Sequence, residues 1–197
     1  MSEAHRDYFN QLAATWDERM PSDPGLIHHL EKFKVLPNEV ILDIGARTGR
    51  MTQHLVRLAG NTGLIVMQDI AEDMLVKSKN KFSQASVFQV CNDVCQLSFQ
   101  DNYFDKVLCF AAFPHFAEPE KALQEMFRVL KSKGKLLILH LTSSDNMNAF
   151  HATLNGIVQT DQLASASQME SKMTQLGFIR VHVEENESLY WIEMQKP

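Results

Sequence analysis

The sequence has no long basic run, no apolar stretch of membrane-spanning length and only three cysteines among its 197 residues. Lys and Arg number 19 against 24 Asp and Glu, for a formal charge of −5. Binding to a phosphate backbone draws on a concentrated basic face, so nucleic acid is not an expected partner. The longest apolar runs, such as Val107 to Phe113, fall far short of the ~20 residues of a spanning helix, which excludes a helical membrane anchor. The opening residues MSEAHRD lack the apolar region of a secretory signal, so a cytoplasmic location is expected. Cys91, Cys95 and Cys109 cannot all pair and form no C-x-x-C motif, so they read as reduced packing residues.

What is present is an alternation of strand-like and helix-like segments from Val40 onward, the pattern of a sheet with crossover helices. Strands are expected at about 39–44, 63–68, 86–91, 104–110 and 134–141. A helix follows Gly49 and stops at Gly60, and a second begins near Ala71 with Met74, Leu75 and Phe82 inward. A third starts at Glu118-Pro119 and ends at Lys133-Gly134, and a fourth opens on the capping box Ser165-Ala166-Ser167-Gln168. The stretches 178–183 and 189–194, joined by polar residues 184–187, form a hairpin whose last strand runs antiparallel to its neighbour. The expected fold is α/β: a Rossmann-like, doubly wound, seven-stranded and mostly parallel sheet with one antiparallel strand near the edge. One domain is expected over 1–197. It divides into a helical cover (1–36), a cofactor-binding core (37–141), an acceptor-site cover (142–164) and a C-terminal helix with β-hairpin (165–197).

Open α/β sheets bind ligands beyond the carboxyl ends of their strands, so those ends locate the chemistry. The first is Val40 to Arg50, VILDIGARTGR, in which an apolar run ends at Asp43 and turns through Gly45 and Gly49 into a helix. The second ends at Asp69, suited to accept two ribose hydroxyls, and the third leads to Asn92-Asp93-Val94, suited to an adenine edge. The fourth ends at Phe110, followed by Ala111 to Phe116. A nicotinamide dehydrogenase is the runner-up. Its pyrophosphate turn wants G-x-G-x-x-G, and a carboxylate at Asp43 repels a pyrophosphate while suiting the cationic amino group of a methionine moiety.

These motifs in series resemble the class I S-adenosylmethionine-dependent methyltransferases, in the small-molecule branch that includes the ubiquinone and menaquinone biosynthesis enzymes. Asp43-Ile44-Gly45-Ala46-Arg47-Thr48-Gly49 is similar to that family's acidic-G-x-G-x-G motif except at Arg47. Gln68-Asp69-Ile70, Asn92-Asp93-Val94 and the segment Pro119 to Gly134 are similar to later motifs, and the resemblance covers about residues 36–141. It implies S-adenosyl-L-methionine as cofactor. Asp43, Gly45, Ala46, Arg47 and Gly49 would line its methionine part, and Asp69 the ribose. Ile70 and Met74 would flank the adenine, Asn92, Asp93 and the Val94 amide would meet its edge, and Phe110 would face the sulfonium. Arg47 stands where the family has glycine. It points to solvent, clamps the cofactor carboxylate, or marks a site that has lost its cofactor.

Methyl transfer from a sulfonium is an in-line displacement, expected here onto oxygen or carbon of a small-molecule acceptor. The Asn/Asp-Pro-Pro-aromatic signature of amino-group methylation is absent, Phe110-Ala111-Ala112-Phe113 standing in its place. His140, His115 and His151 are the catalytic candidates, with Asp161 nearby in sequence. Three readings of them stand: a general base with an orienting carboxylate, a metal or metal-bearing substrate held by His115, His140, His151 and Asp161, or unconnected packing histidines. Tyr8 and Trp16, on an amphipathic helix with Phe9 and Leu12, either close over the cofactor or only pack that helix. A non-catalytic relative that senses a ligand or serves as a partner subunit is the alternative function class.

Overall fold

The computed structural model describes residues 2–20, 23 and 25–197. Seven strands, β1 (Val40–Ile44), β2 (Leu64–Asp69), β3 (Val87–Cys91), β4 (Phe104–Phe110), β5 (Leu130–His140), β6 (Ile179–Asn186) and β7 (Leu189–Gln195), form one sheet in the order β3-β2-β1-β4-β5-β7-β6. β7 pairs antiparallel with both β5 and β6, and every other pair is parallel. This is the expected sheet, with its single reversed strand next to the edge. The order of strands reverses between β1 and β4, which opens a crevice where their carboxyl ends diverge.

Both faces of the central strands are apolar because both are covered. Leu42, Ile44, Val107, Cys109, Leu136 and Ile138 face one core, and Ile41, Leu108, Leu137 and Leu139 face the other, an alternation with period two. Helices α4 (Thr52–Ala59) and α5 (Glu72–Lys81) follow β1 and β2, and α6 (Pro119–Val129) and α8 (Ala166–Gln175) follow β4 and the second cover. The Ser165–Gln168 capping box forms as expected. The first cover is α1 (Glu3–Leu12), α2 (Trp16–Arg19) and α3 (Leu26–Lys32), and the second contains α7 (Ser144–Ala152).

The fold corrects two boundaries and one burial. Helix α6 stops at Val129 and not at Lys133-Gly134, because residues 130–134 are drawn into a bulged start of β5, with Lys133 at positive φ. The hairpin turn is Glu187-Ser188, and Glu184 to Asn186 belong to β6, where they pair with β7. Of the cysteines only Cys109 is buried packing, and Cys91 is exposed.

Candidate functional site

The glycine turn after β1 is shaped by close approach. Gly45 takes φ +64°, and a Cβ there would meet the Ala112 methyl at 2.4 Å, so the loops after β1 and β4 touch. Asp43, 1% exposed, accepts from Thr52 Oγ1 at 2.6 Å through Oδ2, and burial pushes its carboxyl up to about 7. Asp43, Gly45, Ala46, Arg47 and Arg50 line a crevice with Trp16, Met20 and Phe110. Arg50 Nε is sealed from water without a partner, and its guanidinium lies over the Phe110 ring. An acidic oxygen beside an incompletely paired guanidinium matches the ammonium and carboxylate of an α-amino acid.

Farther along the strand ends, Asp69 accepts backbone N–H groups from Arg47 at 2.8 Å and Ala71 at 2.8 Å, and burial pushes its carboxyl up. Both amide atoms of Asn92 are buried without partners, while Asp93 accepts from Cys95 N and caps the turn that begins at Val94. Buried polar groups without partners cost about 1–3 kcal/mol each, so Arg50 and Asn92 mark both ends of the track as built for a polar ligand. The residues present therefore fit the cofactor that the motifs imply.

That track is roofed. Phe9, Ala13 and Trp16 pack on Ala71 and Met74, over the positions expected to flank ribose and adenine. Asp17 accepts from Thr48 Oγ1 at 2.6 Å and pairs with Lys81, Asn10 Oδ1 accepts from Asp73 N, and Lys77 donates to Ala14 O. Arg47 completes the roof. It sits at φ +52°, its Nη2 donates to Ala111 O at 2.7 Å, and its guanidinium lies 4.9 Å from the Trp16 ring and 5.3 Å from Phe9. It does not point to solvent, and burial holds its pKa below the usual arginine value. The crevice that remains is about 20 Å³, room for one water molecule.

Beside it lies a cleft of about 400 Å³ that shares Trp16, Met20, Arg47, Arg50 and Phe110 as common walls. Its other walls are largely apolar, with Tyr8, Leu12, Met147, Phe150, Leu154 and Val158 from the two covers. His115, on the turn after β4, and His151, on α7, also face it. Glu185 accepts from Ser144 N and Oγ, and Asn148 exchanges hydrogen bonds with the backbone of Leu163, which fixes the second cover on the body.

His115 Nδ1 donates to Asp161 Oδ2 at 2.6 Å, and His151 Nδ1 donates to Asp161 O at 3.1 Å. Carboxylate and carbonyl oxygens only accept, so each Nδ1 carries its proton and each Nε2 of the neutral ring keeps a lone pair. Burial pushes His115 down to about 4, and its hydrogen bond helps to hold Asp161 at about 2, so the pair is a neutral imidazole on a carboxylate.

Of the four residues that the sequence groups as candidates, the structure brings His115, His151 and Asp161 to one place, and His140 falls outside. His140 is fully buried, lines neither opening, stands edge-on to Tyr190, has both nitrogens unpartnered and is pushed down to about 3. The residue missed is His5, whose Nε2 lies 3.0 Å from Asp161 Oδ1. The available signal was its place four residues before Phe9, on the apolar face of α1. Among the described residues His5, His115 and Asp161 present ligand-type atoms within 4.8 Å of one another, so in any metal reading His5 takes the place of His140 and His151, which fall outside that group. The 2.6 Å separation of His115 and Asp161 is a hydrogen-bond length; two ligands on one tetrahedral Zn²⁺ at ~2.05 Å stand about 3.3 Å apart.

Residues 42–138 match the family described as "Methyltransferase domain". The chain is 33% identical over 144 residues to the ubiquinone/menaquinone biosynthesis C-methyltransferase of Vibrio cholerae, covering 68% of this chain and 55% of that protein. It thus spans about half the length of the curated relatives it matches. Among solved structures, an Aquifex aeolicus S-adenosylmethionine-dependent methyltransferase superposes with a TM-score of 0.74 at 18% identity, over 98% of both chains. A putative methyltransferase in complex with the Haloferax volcanii Trm112 activator superposes with a TM-score of 0.82 at 16% identity, over 96% of this chain and 97% of that one. Among the described residues no helix is long and apolar enough to cross a membrane.

Proposed function

We propose that the chain is a class I S-adenosylmethionine-dependent methyltransferase, as its methyltransferase-domain match and its relatives support, and that it methylates a small, largely apolar acceptor at oxygen or carbon, with His115 as general base. The observation that carries this reading is the His115–Asp161 hydrogen bond of 2.6 Å, on a ring that lines the cleft next to Phe110 and Ala111.

When bound, the cofactor supplies an electrophilic methyl group on a sulfonium. Asp43 and Arg50 are the groups for its ammonium and carboxylate, Asp69 for its ribose, Ile70 and Met74 for the faces of its adenine, and Asn92, Asp93 and the Val94 amide for the adenine edge. His115 Nε2 takes the acceptor's proton, while Asp161 holds the ring in its Nδ1–H tautomer and stabilises the imidazolium that forms. His151, with its own Nε2 lone pair, is a second acceptor for a hydroxyl in the cleft. The apolar walls exclude water, which competes both for the methyl group and for the proton.

A base held neutral down to about 4 is available throughout the physiological range. Its weakness matches it to acidic acceptors, phenols and enolisable carbons, rather than to alkanols. Calorimetric titration with S-adenosylhomocysteine tests the cofactor assignment, and the absence of binding at micromolar concentrations refutes it. Transfer of a labelled methyl group to a panel of phenols and 1,3-dicarbonyls tests the acceptor class. With any acceptor found, Asp161→Asn should lower turnover by about 10²–10⁴ while leaving S-adenosylhomocysteine binding in place; turnover equal to wild type removes the base assignment.

A further inference from the structure

The roof over the cofactor track and the base in the acceptor cleft share one carboxylate. His5 Nε2, carried on α1, lies 3.0 and 3.1 Å from the two oxygens of Asp161, the same group that accepts from His115 Nδ1. Ser2, the N-cap of that helix, places its Oγ 2.7 Å from His5 Nδ1. Ser2 donates there and His5 donates onward to Asp161, so the ring is oriented from both sides. Phe9, one turn further along α1, stands edge-on to His115 with ring centroids 5.0 Å apart.

We propose that His5 is a positioning residue: seating of residues 2–20 over an occupied cofactor track brings His5 to Asp161 and so fixes His115 for proton abstraction. The proposal rests on the base reading above. A room of one water molecule admits no cofactor, so the roof must lift first, and α1 carries His5 away when it does. Apart from those of Arg47 and His5, the polar bonds that hold the roof are mostly between partly exposed groups, Asp17 with Lys81 among them, and each of these costs little to break. An Asp161 left with His115 as its one side-chain partner is free to turn about its side-chain torsions, and a second donor across both oxygens removes that freedom. The acceptor is then activated only when the methyl donor is in place.

The test uses the full chain labelled with ¹⁵N in its histidines, with S-adenosylhomocysteine as the probe. In the wild type, saturating S-adenosylhomocysteine should slow amide exchange in α1 by about tenfold or more, and His115 should hold the Nδ1–H tautomer in long-range ¹H–¹⁵N spectra. In His5→Leu the probe should bind within about threefold of wild-type affinity, while His115 shows a mixture of tautomers and the slowing in α1 is lost. His5→Gln, which keeps an N–H for Asp161, should restore both signatures and controls for misfolding, together with thermal melts of each variant. A wild-type His115 spectrum in His5→Leu, or α1 exchange indifferent to the probe, overturns the proposal while leaving the methyltransferase reading intact. Failure of the wild type to bind the probe at all overturns both. Stoichiometric Zn²⁺ binding that is lost in His5→Leu and in Asp161→Asn overturns the positioning role in favour of a metal centre.

Discussion

Arg47→Gly puts back the residue that the glycine motif has elsewhere and removes the side chain that bridges the crevice. The guanidinium donates to Ala111 O at 2.7 Å, a hydrogen bond from a charged donor, which contributes about 1.5–3 kcal/mol. Its stacking on Trp16 and Phe9 adds about 1 kcal/mol. Glycine relieves the positive φ of +52°, about 1 kcal/mol, but its greater freedom in the unfolded chain offsets a similar amount. The net loss is about 2.5–4 kcal/mol, and it falls on the seating of residues 2–20 rather than on the sheet. The contacts broken to admit the cofactor are regained only as far as the roof seats again, so apparent affinity tightens by part of that loss, up to about 70–800-fold if none is regained. Calorimetric titration of wild type and Arg47→Gly with S-adenosylhomocysteine measures it, with amide exchange in α1 as the independent readout of loosening. Equal or weaker binding in the variant refutes the reasoning and makes Arg47 a clamp for the cofactor carboxylate. Arg47→Ala, which keeps the strained φ but lacks glycine's freedom in the unfolded chain, should melt within about 2 °C of Arg47→Gly.

Asp69→Ala should cost more than its ribose contact: it leaves the amides of Arg47 and Ala71 without an acceptor, about 2–4 kcal/mol together, so the variant should melt about 5–15 °C lower as well as bind more weakly. A melt equal to wild type would show that the two amides find other partners. Asp43 has a folded-state pKa raised to about 7 from 3.8, so between those values the folded chain holds a proton that the unfolded chain has lost. Its contribution to stability therefore falls as pH rises from 4 to 7 and is level above, and the stabilising effect of Asp43→Asn should grow over the same window in melts taken at pH 4, 5.5 and 7.5. Binding of an ammonium requires the carboxylate, so wild-type affinity for S-adenosylhomocysteine should rise with pH to about 7 and then level; Asp43→Asn should lose that slope. His140→Leu removes two buried nitrogens that have no partner and should leave the melting temperature unchanged or higher, with S-adenosylhomocysteine binding at wild-type strength. A drop in either would show that His140 is engaged.

The sheet, its reversed seventh strand and the crevice after β1 were legible in the linear sequence, as was the position of the candidate residues at the strand ends. They depend on short-range signals: apolar runs that end in Asp43 or Asp69, glycines where the backbone turns with positive φ, and helix stops and caps within one turn of the residues that cause them. The boundary errors have the same origin in reverse. Residues 130–134 carry a helix-stop signal, yet pairing of Leu130 with Phe104 of β4 and backbone hydrogen bonds of Lys133 and Gly134 with Lys196 recruit them into a bulged strand, a decision made by neighbours distant in sequence.

What the sequence could not decide is which of its scattered polar side chains meet. His5, His115 and Asp161 are separated by 110 and 46 residues, and no spacing rule connects them; a helix, a turn after β4 and a cover segment had to be folded onto one sheet edge before they shared a carboxylate. His140 looked better placed on the sequence, at the end of a strand, but its ring is buried against Tyr190 of the paired strand β7, while the next residues, Leu141 and Thr142, line the cleft. Arg47 is the plainest case. Its position in the motif was visible from the start, whereas its direction, inward against Trp16 and Phe9 to Ala111, was set by packing among three elements. The chain's local chemistry thus determined where the crevice at the strand ends lies, and tertiary packing alone determined that residues 2–20 cover it and that this cover reaches the His115–Asp161 pair.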